Sequence, residues 1–167
     1  VAVYLVLGLA GRTVLWSRFG MEADVGASRL PYVLTAGCVN DLVESLYLFA
    51  PFALYILLVP DRWFRSTANR VILYGATAAT ITGLIYLTAA EYFFFEEFDA
   101  RFNIVAYDYL AYPTEVFTDI WEAYPVMKVL GVAVTLAALV AFFLRRSIKP
   151  GFDHVVRFRE RLVAFAP

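Results

Sequence analysis

The sequence is poor in the side chains that build metal centres and covalent staples. It has a single cysteine, Cys38, and a single histidine, His154. One thiol excludes an internal disulfide and a thiolate metal cluster, and one imidazole argues against a histidine-based zinc site. There is no excess of positive charge either: 14 Lys and Arg stand against 15 Asp and Glu, for a net charge of −1. Without a basic patch, nucleic-acid binding has no electrostatic footprint. Charge is missing altogether from Val71–Ala90, VILYGATAATITGLIYLTAA.

What remains is apolar. The chain is 62% hydrophobic and 17% aromatic, with a mean hydropathy of +0.68. Soluble domains average about 45–50% apolar residues. A soluble core of 167 residues has no room for so much apolar surface, so lipid is the expected solvent.

A membrane-spanning helix needs about 20 mostly apolar residues. Spans are expected at about 1–16, 31–59, 71–95 and 126–144. The third contains the uncharged run, and the fourth carries only Lys128 near its start. The second is interrupted by Asp41 and Glu44, and the first is short. Both termini fall inside hydrophobic patterns. This predicts a piece of a longer chain, with a truncated fifth helix beginning near Val155. The fold class expected is an all-α integral membrane protein: a bundle of four transmembrane helices plus an interfacial helical segment, in one transmembrane domain over residues 1–167.

Charge placement orients the spans. Arg62, Arg65 and Arg70 lie between the second and third, and Arg145, Arg146, Lys149, Arg157, Arg159 and Arg161 follow the fourth. The other connections hold Arg18 and Arg29 in one and Arg101 in the other. Basic loops stay cytoplasmic, which predicts a cytoplasmic N-terminus and an outward-facing segment over 94–125. Within the third span, Gly75, Ala79 and Gly83 form a small-xxx-small row, a pattern that lets helices approach closely. Ordinary bundle packing is the expected use of it.

Residues 99–125, DARFNIVAYDYLAYPTEVFTDIWEAYP, are too polar to span and too aromatic for a plain loop. From Pro113 onward, Val116, Phe117, Ile120, Trp121 and Tyr124 recur at the spacing of one helical face. Thr114, Glu115, Thr118, Asp119 and Glu122 take the other face. Pro113 suits a first helical turn, and the acidic residues near it complement the helix dipole. The expectation is interfacial helices over about 99–124, with the aromatic residues anchoring at headgroup depth. The polar face is acidic. Anionic lipid would not attract it, so its carboxylates are expected to meet protein or a cationic group.

The stretch FNIVAYDYLAYPTEVFTDIWEAYPV, preceded by EEFDARF, resembles the membrane domain of lipoteichoic-acid-synthase-like proteins, the membrane sulfatase/phosphoglycerol transferase group, and its Gram-negative members in particular. NDLVESLYLFAPFALYILL in the second span fits the same pattern. The resemblance covers roughly Pro31–Leu144 and is most specific over Phe102–Val126. It implies five membrane helices in a bacterial cytoplasmic (inner) membrane, followed by an extracytoplasmic catalytic domain. That domain would carry a Thr nucleophile and a divalent metal, manganese or zinc. It would move a phosphoglycerol or phosphoethanolamine headgroup from a phospholipid to a glycan or lipid acceptor. None of that machinery lies in these residues, so no catalytic residue, metal ligand or cofactor is expected here. The partners implied are the phospholipid bilayer and the catalytic domain.

Ionisable residues inside spans are candidate functional groups, because their burial is costly unless they are paired. Asp41 and Glu44 stand three apart on nearly one face of the second helix, with Arg12 the partner by depth. Two readings are open. Arg12 holds a lipid phosphate while the carboxylates hold a hydroxyl-bearing or cationic headgroup, or an Arg12–Asp41 pair locks two helices together. Asp108, Tyr109, Tyr112 and Glu115 form the core of the family-like stretch, as headgroup contacts, as a docking site for the catalytic domain, or as simple anchors. Glu91, Glu96, Glu97 and Asp99 read as a solvated acidic helix end, with a divalent-cation site as the alternative. The function implied is a membrane anchor that presents a lipid substrate. A small transporter or channel using Asp41 and Glu44, and a sensory or scaffolding module, are the alternatives.

Overall fold

The structure, a computed structural model, describes residues 1–20, 26–103, 106–107 and 113–153. Side chains are described throughout these except at 113, 115 and 144–153. The described residues are helical and contain no strand. Helix α1 runs Ala2–Phe19, a short 3-10 turn at Ala27–Arg29 leads into α2 at Leu30–Leu58, and α3 is one turn at Asp61–Phe64. Helix α4 spans Thr67–Phe98, α5 spans Pro113–Ala123, and α6 spans Val126–Asp153.

Three stretches are long and apolar enough to cross a bilayer: Ala27–Leu58, Thr67–Phe98 and Val126–Phe143. Helix α1 is not among them. Its 18 residues include Arg12 and Arg18, which lower its hydropathy. Helix α2 passes through Asp41, Glu44 and Pro51 without ending. Pro51 lacks the N–H that would bond the carbonyl of Tyr47. At about 1.5 Å per residue, α2 and α4 are each longer than a hydrocarbon core about 30 Å thick.

The interior mixes apolar side chains (Phe19, Val59, Ile81, Phe94, Ala133 and Ala137) with polar ones, while the outer surface is strongly apolar. Among the described residues the buried polar positions are Arg12, Asp41, Ser45 and Asn69. Large apolar side chains lie exposed: Val39, Leu42, Val43, Leu46, Leu54 and Leu58 on α2, and Leu130, Val132, Val134, Leu136, Leu139, Phe142 and Phe143 on α6. Continuous apolar surface of this kind needs an apolar solvent. The threonines in these helices turn their hydroxyls inward along the chain, Thr77 to the Leu73 carbonyl, Thr82 to Ala78 and Thr135 to Gly131, each 2.8–2.9 Å. Each hydroxyl proton is thereby satisfied without water, as lipid requires.

Helix α1 packs against both α2 and α4, and α4 packs against α6. Tyr4 meets Glu44 while Arg12 meets Asp41, so α1 and α2 run antiparallel. Gly11 lies beside Thr88, and Phe19 stacks against Phe95 at 5.0 Å, so α1 and α4 run parallel. Gly75, Ala79 and Gly83 are all exposed, and a Cβ at Gly75 or Gly83 would meet nothing within 4 Å. The small-residue row is therefore not used in packing within the described bundle. The neighbours of α4 lie on its other faces, where Ile81 and Phe94 are buried.

The turn between α2 and α4 is held by one side chain. Asn69 is fully buried. It accepts a hydrogen bond from the Tyr55 hydroxyl and donates through Nδ2 to the Phe64 carbonyl at 3.0 Å. Its backbone N–H donates to Ser66 Oγ at 3.1 Å, which caps α4, and Trp63 Nε1 donates to the Tyr55 hydroxyl at 3.1 Å. Asn69→Ala removes both side-chain hydrogen bonds from this half-buried turn, each worth about 0.5–1.5 kcal/mol. The variant should unfold at lower temperature in detergent than the wild type.

Candidate functional site

The site is built from three helical faces. Tyr4, Gly8 and Arg12 share one face of α1 at a spacing of four, and Gly37, Asp41 and Glu44 share one face of α2. Leu84, Leu87, Thr88 and Glu91 share a face of α4 at i, i+3, i+4 and i+7. Because α1 contacts both neighbours, these faces converge on an open-sided groove with a cavity of about 450 Å³. That volume is within the about 300–1,000 Å³ usual for ligand sites. Tyr4, Leu7 and Gly8 line it from α1, Asp41 and Glu44 from α2, and the four α4 residues from the opposite wall. Arg101 and Phe102 close its end beyond α4.

Arg101 reaches the groove because the chain reverses after α4. Asp99 takes a left-handed conformation (φ 51°, ψ 23°), which ends the helix. Short polar side chains tolerate that region best among non-glycine residues. Phe102 then packs on Phe94 at 5.1 Å, and Arg101 Nε donates to Glu91 Oε1. Arg101 remains 53% exposed, whereas Glu91 is 17% exposed. The pair thus faces outward from the guanidinium side, at the groove mouth.

Below the mouth lies a closed ion pair. Arg12 Nη1 donates to Asp41 Oδ2 at 2.5 Å and Nη2 donates to Oδ1 at 2.6 Å, a bidentate fork that satisfies both carboxylate oxygens. Arg12 is 8% exposed and Asp41 3%. Two glycines make the space. A Cβ at Gly37 would sit 2.7 Å from Arg12 Cδ, and one at Gly8 would sit 2.9 Å from Asp41 Cγ. Three residues further along α2, Glu44 Oε2 accepts a hydrogen bond from the Tyr4 hydroxyl at 2.6 Å. Thr88 donates its hydroxyl to the Leu84 carbonyl at 2.9 Å, leaving oxygen lone pairs toward the groove.

Of the residues expected from sequence, Arg12, Asp41 and Glu44 come together here. Arg12 is fully engaged by Asp41, the arrangement of a helix lock, and Asp41 and Glu44 line the groove. Asp108, Tyr109 and Tyr112 lie outside the described residues, as does the Glu115 side chain. On α5 the expected apolar face divides. Val116, Ile120 and Tyr124 are half-buried, with the Tyr124 ring 5.3 Å from Phe93. Phe117 and Trp121 are exposed and stack on each other at 5.6 Å. Tyr4, Thr88, Arg101 and Phe102 were not anticipated, and Glu91 is in the groove wall where a solvated helix end was expected. The spacing of Tyr4, Gly8 and Arg12 was a usable signal for a polar face on α1. Nothing in the local sequence signals the return of Arg101 onto Glu91.

Among the described residues no three metal-ligating side chains cluster. The groove combines a polar floor, a leucine wall and an exposed guanidinium at its mouth. The chain matches no family model, no curated protein and no solved structure.

Proposed function

We propose that this chain is a multi-pass membrane anchor that holds the headgroup of an amphiphilic lipid in the groove between α1, α2 and α4. The observation that carries the reading is the mixed lining of that groove. Carboxyl, phenol and guanidinium groups face Leu7, Leu84 and Leu87 within a bundle whose outer faces are apolar. Such a groove suits a molecule with a polar head and an apolar body, the composition of a membrane lipid.

The resemblance over Phe102–Val126 makes the proposal more specific. The domain presents a phospholipid headgroup to an extracytoplasmic phosphoglycerol- or phosphoethanolamine-transferase-like catalytic domain, which supplies the Thr nucleophile and the manganese or zinc ion. In that arrangement α1 is the fourth span and the N-terminus is cytoplasmic. The groove mouth at Arg101 then opens on the outer face of a bacterial inner membrane, as the basic residues of the α2–α4 connection favour. Helix α5 lies at the outer interface with Phe117 and Trp121 at headgroup depth. The groove residues fix depth and orientation, which determine whether a reacting headgroup is within reach of a catalytic group. An ion path using both Asp41 and Glu44 fits less well, because Arg12 occupies both oxygens of Asp41.

Leu87 lines the groove and is exposed, so Leu87→Trp fills the cavity without disturbing a buried contact. Phospholipid that survives purification in mild detergent should be carried by the wild type and lost from Leu87→Trp at unchanged expression. Equal retention by both would remove the groove as the binding site.

A further inference from the structure

We infer that the groove selects membrane lipids whose headgroup carries an ammonium group, and that Glu44 is the residue that recognises it. The inference rests on the reading of the groove as an amphiphile site and adds the class of headgroup.

The charges lining and flooring the groove do not balance. Asp41 is matched by Arg12, and Glu91 by Arg101. Glu44 receives only the Tyr4 hydroxyl, and among the described residues no cation reaches it. One formal negative charge is therefore in excess, and it stands on Glu44. Its position makes that excess consequential. Glu44 is at the midpoint of α2, which runs Leu30–Leu58 and is flanked on its outer face by exposed Val43, Leu46 and Leu48. A carboxyl group at such depth is costly unless a cation or strong donors come to it. One Glu44 oxygen is taken by Tyr4, and the other is open to the groove.

Three headgroup classes can be ranked on this lining. An anionic headgroup meets three carboxyl groups and a single groove-facing guanidinium that already bonds one of them. A neutral polyol offers Glu44 hydroxyl donors, which make weaker hydrogen bonds than charged donors do. An ammonium group supplies the missing charge and three N–H donors. The acceptors available to it are the free Glu44 oxygen, the Tyr4 phenol oxygen and Thr88 Oγ, whose own protons are already donated elsewhere. Leu7, Leu84 and Leu87 give the adjoining apolar portion its contact surface.

The test is a native mass-spectrometry titration of the protein in neutral detergent with phosphatidylethanolamine and phosphatidylglycerol of identical acyl chains. Wild type should bind the ethanolamine lipid about ten-fold more tightly. Glu44→Gln should abolish the preference, and Glu44→Asp should keep most of it. A wild-type measurement stands beside these in case a variant fails to fold. A hydrophobic carbodiimide labels accessible membrane carboxyl groups, and dodecyltrimethylammonium, which has no nucleophilic nitrogen to couple to the activated acid, should protect Glu44 from it while dodecyl phosphate should not. Equal affinities, or a preference for phosphatidylglycerol, with both lipids lost in Leu87→Trp would overturn the ammonium assignment and leave the amphiphile groove standing. Binding of both lipids that Leu87→Trp does not alter would remove the groove and the inference together.

Discussion

Arg12→Ala should be the most damaging single change in the described bundle. It leaves Asp41, 3% exposed, as an unpaired charge between α1 and α2. Breaking a buried pair by removing one partner costs about 3–5 kcal/mol. That is a large share of the roughly 5–15 kcal/mol that holds a typical domain together. The expected result is a sharp fall in protein recovered as a monodisperse species in mild detergent. Asp41→Ala should behave similarly, because it strands the guanidinium. The double substitution Arg12→Leu with Asp41→Leu should recover most of the loss, since replacing both members of a buried pair by apolar groups is often neutral or stabilising. The cycle separates two roles for Arg12. If it held a lipid phosphate, Arg12→Ala would be recovered in normal amounts and would fail only in lipid retention.

Gly37→Ala should be nearly as harmful, by a different route. In an ordinary helix interior the same change is favourable by about 0.8–1.0 kcal/mol. At Gly37 the added methyl group falls within 2.7 Å of Arg12 Cδ, closer than real Cβ atoms come to other heavy atoms. The arginine must then leave its fork on Asp41 or α1 must move away from α2. Overpacking of this kind costs about 1–3 kcal/mol, and loss of the fork adds to it. Gly75→Ala is the control. Nothing lies within 4 Å of a Cβ there, so the helix preference acts alone and the variant should be as stable as the wild type or more so. Thermal unfolding in one detergent, read for both variants, gives opposite signs.

The contrast between these two glycines shows what the sequence makes legible. Both lie in apolar helices, and Gly75 begins the more recognisable pattern, yet Gly37 is the one under steric constraint. The difference depends on which neighbour faces each helix, and composition does not encode that. The candidate spans at Ala27–Leu58, Thr67–Phe98 and Val126–Phe143 were readable because predominantly apolar runs of that length have few alternatives to a helix in lipid. The Arg12–Asp41 pair was readable as a matter of depth, since two opposite charges at one level of a bilayer have strong reason to meet. The contact of Arg101 with Glu91 was not. It depends on the left-handed turn at Asp99, a single backbone angle that an aspartate permits without demanding it. On α5, periodicity gave one apolar ridge over Val116–Tyr124. That ridge divides: the Tyr124 ring, just past α5, lies 5.3 Å from Phe93 on α4, while Phe117 and Trp121 are exposed.

These features serve one arrangement. The Arg12–Asp41 fork fixes α1 on α2, the Phe19 ring fixes α1 on α4, and the groove exists because α1 bridges the two. A lock of this kind gives the groove a constant width, and under the proposed function it would hold a headgroup at a defined depth below Arg101. The most direct measurement is the lipid content of purified protein by native mass spectrometry, wild type beside Leu87→Trp. Bound phospholipid on the wild type and its disappearance from the filled-groove variant is the predicted result. Wild type free of lipid, or a variant that retains it unchanged, would contradict the account.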